Sequence, residues 1–498
     1  MSEAYELANP NPEYLIKSIA EQGYTLETAL ADLMDNSISA NADCIEVITD
    51  LQSNPFRLFL ADNGKGMSSD ELSNNMRFPS KSPENTRNND DLGRFGLGLK
   101  TASFSQTRCF TVLSREEGKT RYNGLSWDVD YLKEVKEWRI KIPNDEEIES
   151  LVNEFESLSS SYLNQTINFK PNTIIIWNGL YKYEDYLNPK QRNNALTSEI
   201  ENNVVDHLSI VFHRFLQRQP NNLRIRINNQ IVEPFNPFPN RLRKTDPLIP
   251  EFRNETVKLS GFVLPHTSIK ESKELKNDWT PKNRSLIDME GIYVYRADRL
   301  ILYGGWNSII KKAPRLQLAR LKVEIGNQQD HLFHLNVAKS QIDIPFDLKT
   351  AFYRAVIALK QEAQKEFHNY GLRKISSKKI VSKSQLFQKH ATNRGVMLVV
   401  NEEFHLLKDL RKSLDKTQKA SLNIILRLAN NMINKVRQQD QIELLETDHD
   451  SNLSMEEVLL TVKALLSNGL SKEQIRKDIL PGLNINISQN ETLKTLLK

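Results

Sequence analysis

The chain has 498 residues, 39% of them hydrophobic and 26% charged, with a net charge of +4. That length suits roughly two to four domains with cores of their own, and the composition is globular and without disordered bias. No apolar run approaches the roughly 20 residues that span a bilayer, no signal-peptide pattern opens the chain, and Cys44 and Cys109 are the only cysteines. A membrane span, a disulfide framework and a cysteine zinc site therefore lack support, and the cytoplasm is the default location. The net charge is too small to argue for nucleic-acid binding by itself.

In chain order, Pro10 and Pro12 precede a helical-looking YLIKSIAEQGY. A long helix is predicted from about Thr25 to Ser39. It places Asp32 and Asn36 at i and i+4, one turn apart on one face. That pairing suits a carboxylate that activates water beside an amide oxygen that coordinates magnesium. Strands are predicted at Ile45–Thr49 and Phe56–Ala61. At the end of the second, Asp62 is an acceptor-only carboxylate suited to an adenine amino group. In the phrase ADNGKGM, which ends at Met67, Gly64 and Gly66 allow close backbone approach or positive φ. Residues 68–92 are polar, with Pro79 and Pro83, and read as a loop. The phrase GRFGLGLKTAS then sets Gly93, Gly96 and Gly98, interleaved with Arg94, Phe95 and Leu97, before a helix whose free N–H groups favour phosphate. Lys100, just inside it, either meets phosphate or is a solvated surface lysine.

Further on, Cys109–Ser114 reads as a strand with Gly124–Tyr131 beside it, and Asp145–Glu156 as a short exposed amphipathic helix. The run from Asn172 to Trp177 is a buried-type strand that includes Thr173. Residues 195–217 form a helix with one apolar stripe, and Leu223–Val232 alternates across an Asn-Asn turn as a hairpin does. More strands follow in VKLSGFVLP, GIYVYRADRLILYGG and RLKVEIG. His331 and His334, beside Asp330, fit strand alternation better than a metal site. After Pro345 the pattern is helical, at Leu348–Tyr370 and Lys416–Gln438, with capping-box starts at Ser454/Glu457 and Ser471/Gln474. The acidic stretch 440–450 reads as a linker. Two acid-free runs, 299–322 and 373–394, have either the footprint of phosphate-backbone binding or that of a solvated face.

The three phrases ADLMDNS, ADNGKGM and GRFGLGLKTAS, in this order, resemble the GHKL ATPases, the superfamily of gyrase, the heat-shock protein of ninety kilodaltons, MutL, histidine kinases and MORC proteins. The resemblance covers roughly residues 10–180 and is nearest in look to MORC-like and bacterial stand-alone members. It implies an α/β fold: a Bergerat-fold ATPase sandwich over 1–195, with a lid at about 68–98. An S5-like α/β transducer domain over 196–345 and a helical C-terminal region over 346–498 would follow. It implies ATP and magnesium as ligands. Asp32 would be the base, Asn36 the magnesium ligand, Asp62 the adenine acceptor and Thr173 its support through water. Lys339, in HLNVAKSQIDIP, would be the transducer lysine that reaches the γ-phosphate. One departure is visible: most such members have Glu where this chain has Asp32, which is one methylene shorter.

The function implied is an ATPase switch that dimerises on ATP and acts as a clamp or conformational signal on duplex DNA, through the two basic runs, or on a protein partner, through the helical C-terminus. Some relatives act in defence against mobile elements or phage. The alternative is a nucleotide-gated scaffold that binds ATP with little or no hydrolysis. A histidine kinase is disfavoured because its phosphoacceptor helices would precede the ATPase domain. A type II topoisomerase is disfavoured because no cleavage domain is recognisable.

Overall fold

A computed structural model describes residues 10–21, 23–78, 97–163, 169–185, 188–239, 242–244, 251–252, 255–273, 278–326, 333, 344–376, 386–392, 395–440, 455–467, 470–481, 485 and 491–497. The chain divides into two compact units. The first comprises Met1–Phe262, Ile269–Lys311 and Arg320–Leu359, and the second Val263–Ser268, Lys312–Ala319 and Lys360–Lys498.

The first unit begins with α1 (Pro12–Ala20) and α2 (Leu26–Ser39), then β1 (Cys44–Asp50), β2 (Arg57–Asp62), α3 (Ser69–Met76), α4 (Gly98–Phe104), β3 (Cys109–Ser114), β4 (Asn123–Asp128), α5 (Val129–Val135), α6 (Asp145–Leu158) and β5 (Thr173–Asn178). A broken helical stretch follows, α7 (Pro189–Glu199), a π turn at Ile200–Val204, α8 (Val205–Val211) and α9 (His213–Gln217), before β6 (Arg224–Ile227) and β7 (Gln230–Ile231). The strands form a mixed seven-stranded sheet in the order β4-β3-β5-β2-β1-β6-β7, in which β1 and β6 are parallel.

Alternation along the central strands explains the layers. Leu58 and Leu60 of β2, with Ile175 and Trp177 of β5, enter a core shared with α2, α4 and α8. Phe59 and Ala61, with Ile174 and Ile176, enter the core on the other face, where Phe155 of α6 is fully buried. A strand buried on both faces reads as an unbroken apolar run, which is why these strands are legible in the sequence.

A second sheet has five strands in the order β11-β10-β12-β9-β8: β8 (Arg243–Lys244), β9 (Lys258–Val263), β10 (Gly291–Arg296), β11 (Arg299–Tyr303) and β12 (Ala319–Ile325). The C-terminal third holds α10 (Phe346–Ser376), β13 (Phe387–Thr392), β14 (Gly395–Val400), α11 (His405–Ser413), α12 (Lys416–Asp440) and α13 (Met455–Ser467). The overall class is thus mixed α/β with a helical region after it, as expected.

Four local expectations change. The stretch after Met67 is not all loop, because Ser68 and Glu71 form a capping box that starts α3. The strand expected to reach Tyr131 stops at Asp128, whose carboxylate accepts from the N–H groups of Asp130 and Tyr131 and starts α5. The seven-stranded sheet continues past residue 195, since β6 pairs with β1. The C-terminal region is not purely helical, because β13 and β14 form an antiparallel hairpin. The 223–232 hairpin forms as expected, with Asn228 and Asn229 both at positive φ as a primed turn requires.

Candidate nucleotide site

Helix α2 organises the site. Asp32 is 5% exposed and Asn36, one turn on, is exposed. The Tyr24 hydroxyl, from just before the helix, donates to Asp32 Oδ2 at 2.6 Å. A β-carbon added to Gly98, the first residue of α4, would lie 3.8 Å from that same oxygen. The expected base therefore sits against the start of the helix that follows the glycine-rich phrase. Gly93, Arg94, Phe95 and Gly96 of that phrase lie outside the described residues, whereas Leu97 stands as the residue before α4.

Asp62 ends β2 and is buried. Ser37 of α2 donates to its Oδ2 at 2.7 Å, and the Gly64 N–H to its Oδ1 at 3.0 Å. Burial pushes the Asp62 carboxyl up to about 6, against the pull of those two donors. Thr173 is the β5 partner of Asp62 in register, and Ser114 is the β3 partner of Thr173. Ser114 Oγ and Thr173 Oγ1 lie 3.0 Å apart, and Ser114 Oγ also accepts from the Met67 N–H at 3.0 Å. Three adjacent strand ends thus place Asp62, Thr173 and Ser114 in one polar row, with Met67 tied to it.

Both glycines after Asp62 are required by close approach. A β-carbon on Gly64 would meet Ala40 O at 2.8 Å, where the turn abuts the end of α2. Gly66 has φ +68°, and a β-carbon there would stand 1.8 Å from Arg115 O. Asn172 closes the turn from the other side, its Nδ2 donating to Gly64 O at 2.7 Å and its N–H to Asp62 O at 2.7 Å.

Lys100, Arg299 and Arg320 are buried, which the sequence alone does not foretell. Lys100 is buried, and its Nζ donates to Asn75 O at 2.7 Å and to Arg77 O at 3.0 Å. It caps the C-terminus of α3, and burial holds its ammonium down to about 8. Lys339, with His331, His334 and Ser454, lies outside the described residues. The basic run 299–322 is not a continuous exposed face. Arg299 is buried against Asp35, and Arg320 is fully buried with its guanidinium on Pro237 O and Trp279 O. Lys322 pairs with Glu324 at 3.2 Å. Lys311 and Lys312 are exposed. A charge run reports composition, and packing decides which members meet solvent. The side chains of the 373–394 run lie outside the described ones.

Tyr24, Ser37, Ser114 and Asn172 escaped the sequence reading. Ser37 was the most accessible of them, since it stands next to Asn36 in the first phrase. Among the described residues no cluster of three His, Cys, Asp or Glu side chains is arranged to hold a metal, and no helix is long and apolar enough to cross a membrane. Asn36 nonetheless offers an amide oxygen, the donor type that suits magnesium.

Residues 24–161 match the family described as histidine kinase-, DNA gyrase B-, and HSP90-like ATPase. The chain is also similar to the ATPase MORC2B of Mus musculus, with 36% identity over 93 residues, or 18% of this chain. That match spans 9% of the length of the mouse protein. Both matches fit a GHKL-type, MORC-like ATPase domain, as do the mixed sheet and the helix that bears Asp32 and Asn36.

Proposed function

We propose that this protein binds ATP with magnesium and hydrolyses it as a GHKL-type molecular switch, with Asp32 as the general base. The observation that carries the reading is the double role of α2. The helix bears Asp32 and Asn36 one turn apart, and through Ser37 it also holds Asp62. Asp32 and Ser37 are five residues apart, about 7.5 Å along the helix axis. One rigid element thus sets the spacing between the adenine acceptor and the catalytic end.

In this reading Asp62 accepts from the adenine amino group, with Thr173 and Ser114 supporting it, and Gly64, Gly66 and Met67 line the base. Asn36 would hold magnesium together with the triphosphate, and the ion supplies neutralisation of phosphate charge. Gly93, Arg94, Phe95, Gly96, Leu97 and Gly98 would supply the phosphate-facing loop, with Lys339 joining at the γ-phosphate. Water attacks the γ-phosphorus, its proton passes to Asp32, and the bond to the β-bridging oxygen breaks to give ADP and phosphate. ATP-dependent homodimerisation would turn this cycle into a clamp on duplex DNA or a signal to a protein partner. The exposed Lys311 and Lys312 and the 373–394 run are the candidate DNA contacts.

The second reading is a nucleotide-gated scaffold, favoured by Asp32 itself, whose side chain is one methylene shorter than Glu. A displacement of about 1 Å can cost roughly 100-fold in rate. Steady-state ATP hydrolysis by the full chain, with and without duplex DNA, tests both beside Asp32→Ala and Asp62→Asn. Turnover lost in Asp32→Ala and raised by DNA supports the ATPase clamp. Tight magnesium-ATP binding without turnover under any condition leaves the scaffold.

A further inference from the structure

We infer that Tyr24 is a positioning residue for Asp32, its hydroxyl fixing the short carboxylate in the orientation that hydrolysis needs. The inference rests on the reading of Asp32 as the general base. Aspartate has one side-chain torsion fewer than glutamate, so one strong hydrogen bond can fix its direction. The 2.6 Å contact from Tyr24 to Asp32 Oδ2 is such a bond, short and charge-assisted. Both residues are buried, at 3% and 5% exposure, so solvent competes little for it.

Tyr24 is itself anchored. Its carbonyl accepts from Lys182 Nζ at 2.9 Å and from Gln106 Nε2 at 3.4 Å, so the segments after β5 and α4 both hold it. Burial and the neighbouring Asp32 charge push the phenol far above its ordinary range, so it donates and does not ionise. The hydroxyl fixes one direction of a carboxylate that has about four lone-pair sites. Among the described residues, Asp35, which is paired with Arg299, and Lys182 are charged groups near the pair.

The test compares the wild-type chain with Tyr24→Phe and Asp32→Ala, measuring kcat and the affinity for a fluorescent ATP analogue. Tyr24→Phe is expected to lower kcat about 10- to 100-fold. It should leave analogue affinity within about twofold, so that the loss falls on turnover and not on binding. An unchanged kcat overturns the inference. So does a kcat loss matched by weaker nucleotide binding, which would make Tyr24 merely structural. If Tyr24→Phe does not fold, 3-fluorotyrosine at position 24 keeps the ring and strengthens the donor. It should then change kcat at unchanged analogue affinity, and an unchanged kcat overturns the inference. Wild-type turnover in Asp32→Ala would instead overturn the base assignment itself, separately from any result at Tyr24.

Discussion

Arg299 of β11 donates through Nε to Asp35 of α2 at 2.8 Å, and both side chains are almost fully buried. The guanidinium also lies over the Phe212 ring, 4.5 Å from its centroid. A strand of the second sheet is thereby tied to the helix that carries Asp32, three residues before Asp35, and Asn36, directly after it. Asp35 is a structural tether, which its buried, ion-paired setting explains.

Breaking that pair from one side strands a buried charge. Arg299→Ala is expected to lower stability by about 3–5 kcal/mol, read from chemical denaturation followed by tryptophan fluorescence. The double variant Asp35→Asn with Arg299→Met should lose much less, since neither charge is then left alone. Equal losses in the single and double variants would show that the tether contributes little.

Nucleotide affinity should depend on pH through Asp62. An adenine amino group donates, so it needs the ionised carboxylate, and this carboxyl sits at about 6 in the unliganded protein. Affinity is therefore expected to be flat above about pH 7 and to weaken below 6, approaching tenfold per unit. Ser37→Ala removes a donor to the charged form and should shift the midpoint upward. Isothermal titration with a non-hydrolysable ATP analogue between pH 5 and 8 checks this. A constant affinity over that range would count against Asp62 as the adenine acceptor.

His213 gives a stability signature. Its Nε2 lies 2.8 Å from the Tyr295 hydroxyl and its Nδ1 3.4 Å from Gln217 Oε1, and burial pushes it down to about 4. A histidine with a depressed folded pKa is held neutral, whereas the unfolded chain takes up the proton below about 6.5. Its contribution is therefore fully present above that pH and is lost as pH falls toward 4, by up to roughly 1.4 kcal/mol per unit. The difference in melting temperature between wild type and His213→Asn should shrink steadily from pH 7 to 4. A constant difference would be the contrary result.

Gly66→Ala should be among the most damaging single changes in the site. It would place a methyl group against Arg115 O on a backbone at positive φ. Strain of this kind costs about 1–3 kcal/mol, and overpacking adds about as much again. Thermal melting with nucleotide titration would separate the fold from the site, and full stability in the variant would contradict the geometry.

How much of this was legible in the sequence depended on how local each cause is. The helix that bears Asp32 and the strand runs at β2 and β5 were legible because period and burial coincide there. The Ser68/Glu71 capping box was present but lost in polar surroundings that read as loop. Arg299 was misassigned to an exposed run because its partner lies 264 residues away, and a charge count carries no depth. Tyr24 is eight residues from Asp32, beyond any spacing rule that starts at the helix. Lys100 illustrates a competition, since a lysine beside a glycine-rich phrase suits phosphate, yet α3 ends within reach and its carbonyls take the ammonium.

The parallel pairing of β6 with β1 has a consequence for how the protein can be cut. Arg226 of β6 forms a buried ion pair with Glu46 of β1 at 2.8 Å, and Asn228 accepts from the Thr49 N–H at 2.9 Å. A fragment that ends near residue 195 keeps the three phrases ADLMDNS, ADNGKGM and GRFGLGLKTAS but strips this strand away. It would leave Glu46 as an unneutralised interior charge and bare the backbone from Cys44 to Val47, an open template for strand-to-strand association. Such a fragment should aggregate in gel filtration more readily than one extended through Val232, which restores the strand. Where the chain is cut therefore matters through the edge it leaves as well as through the motifs it keeps.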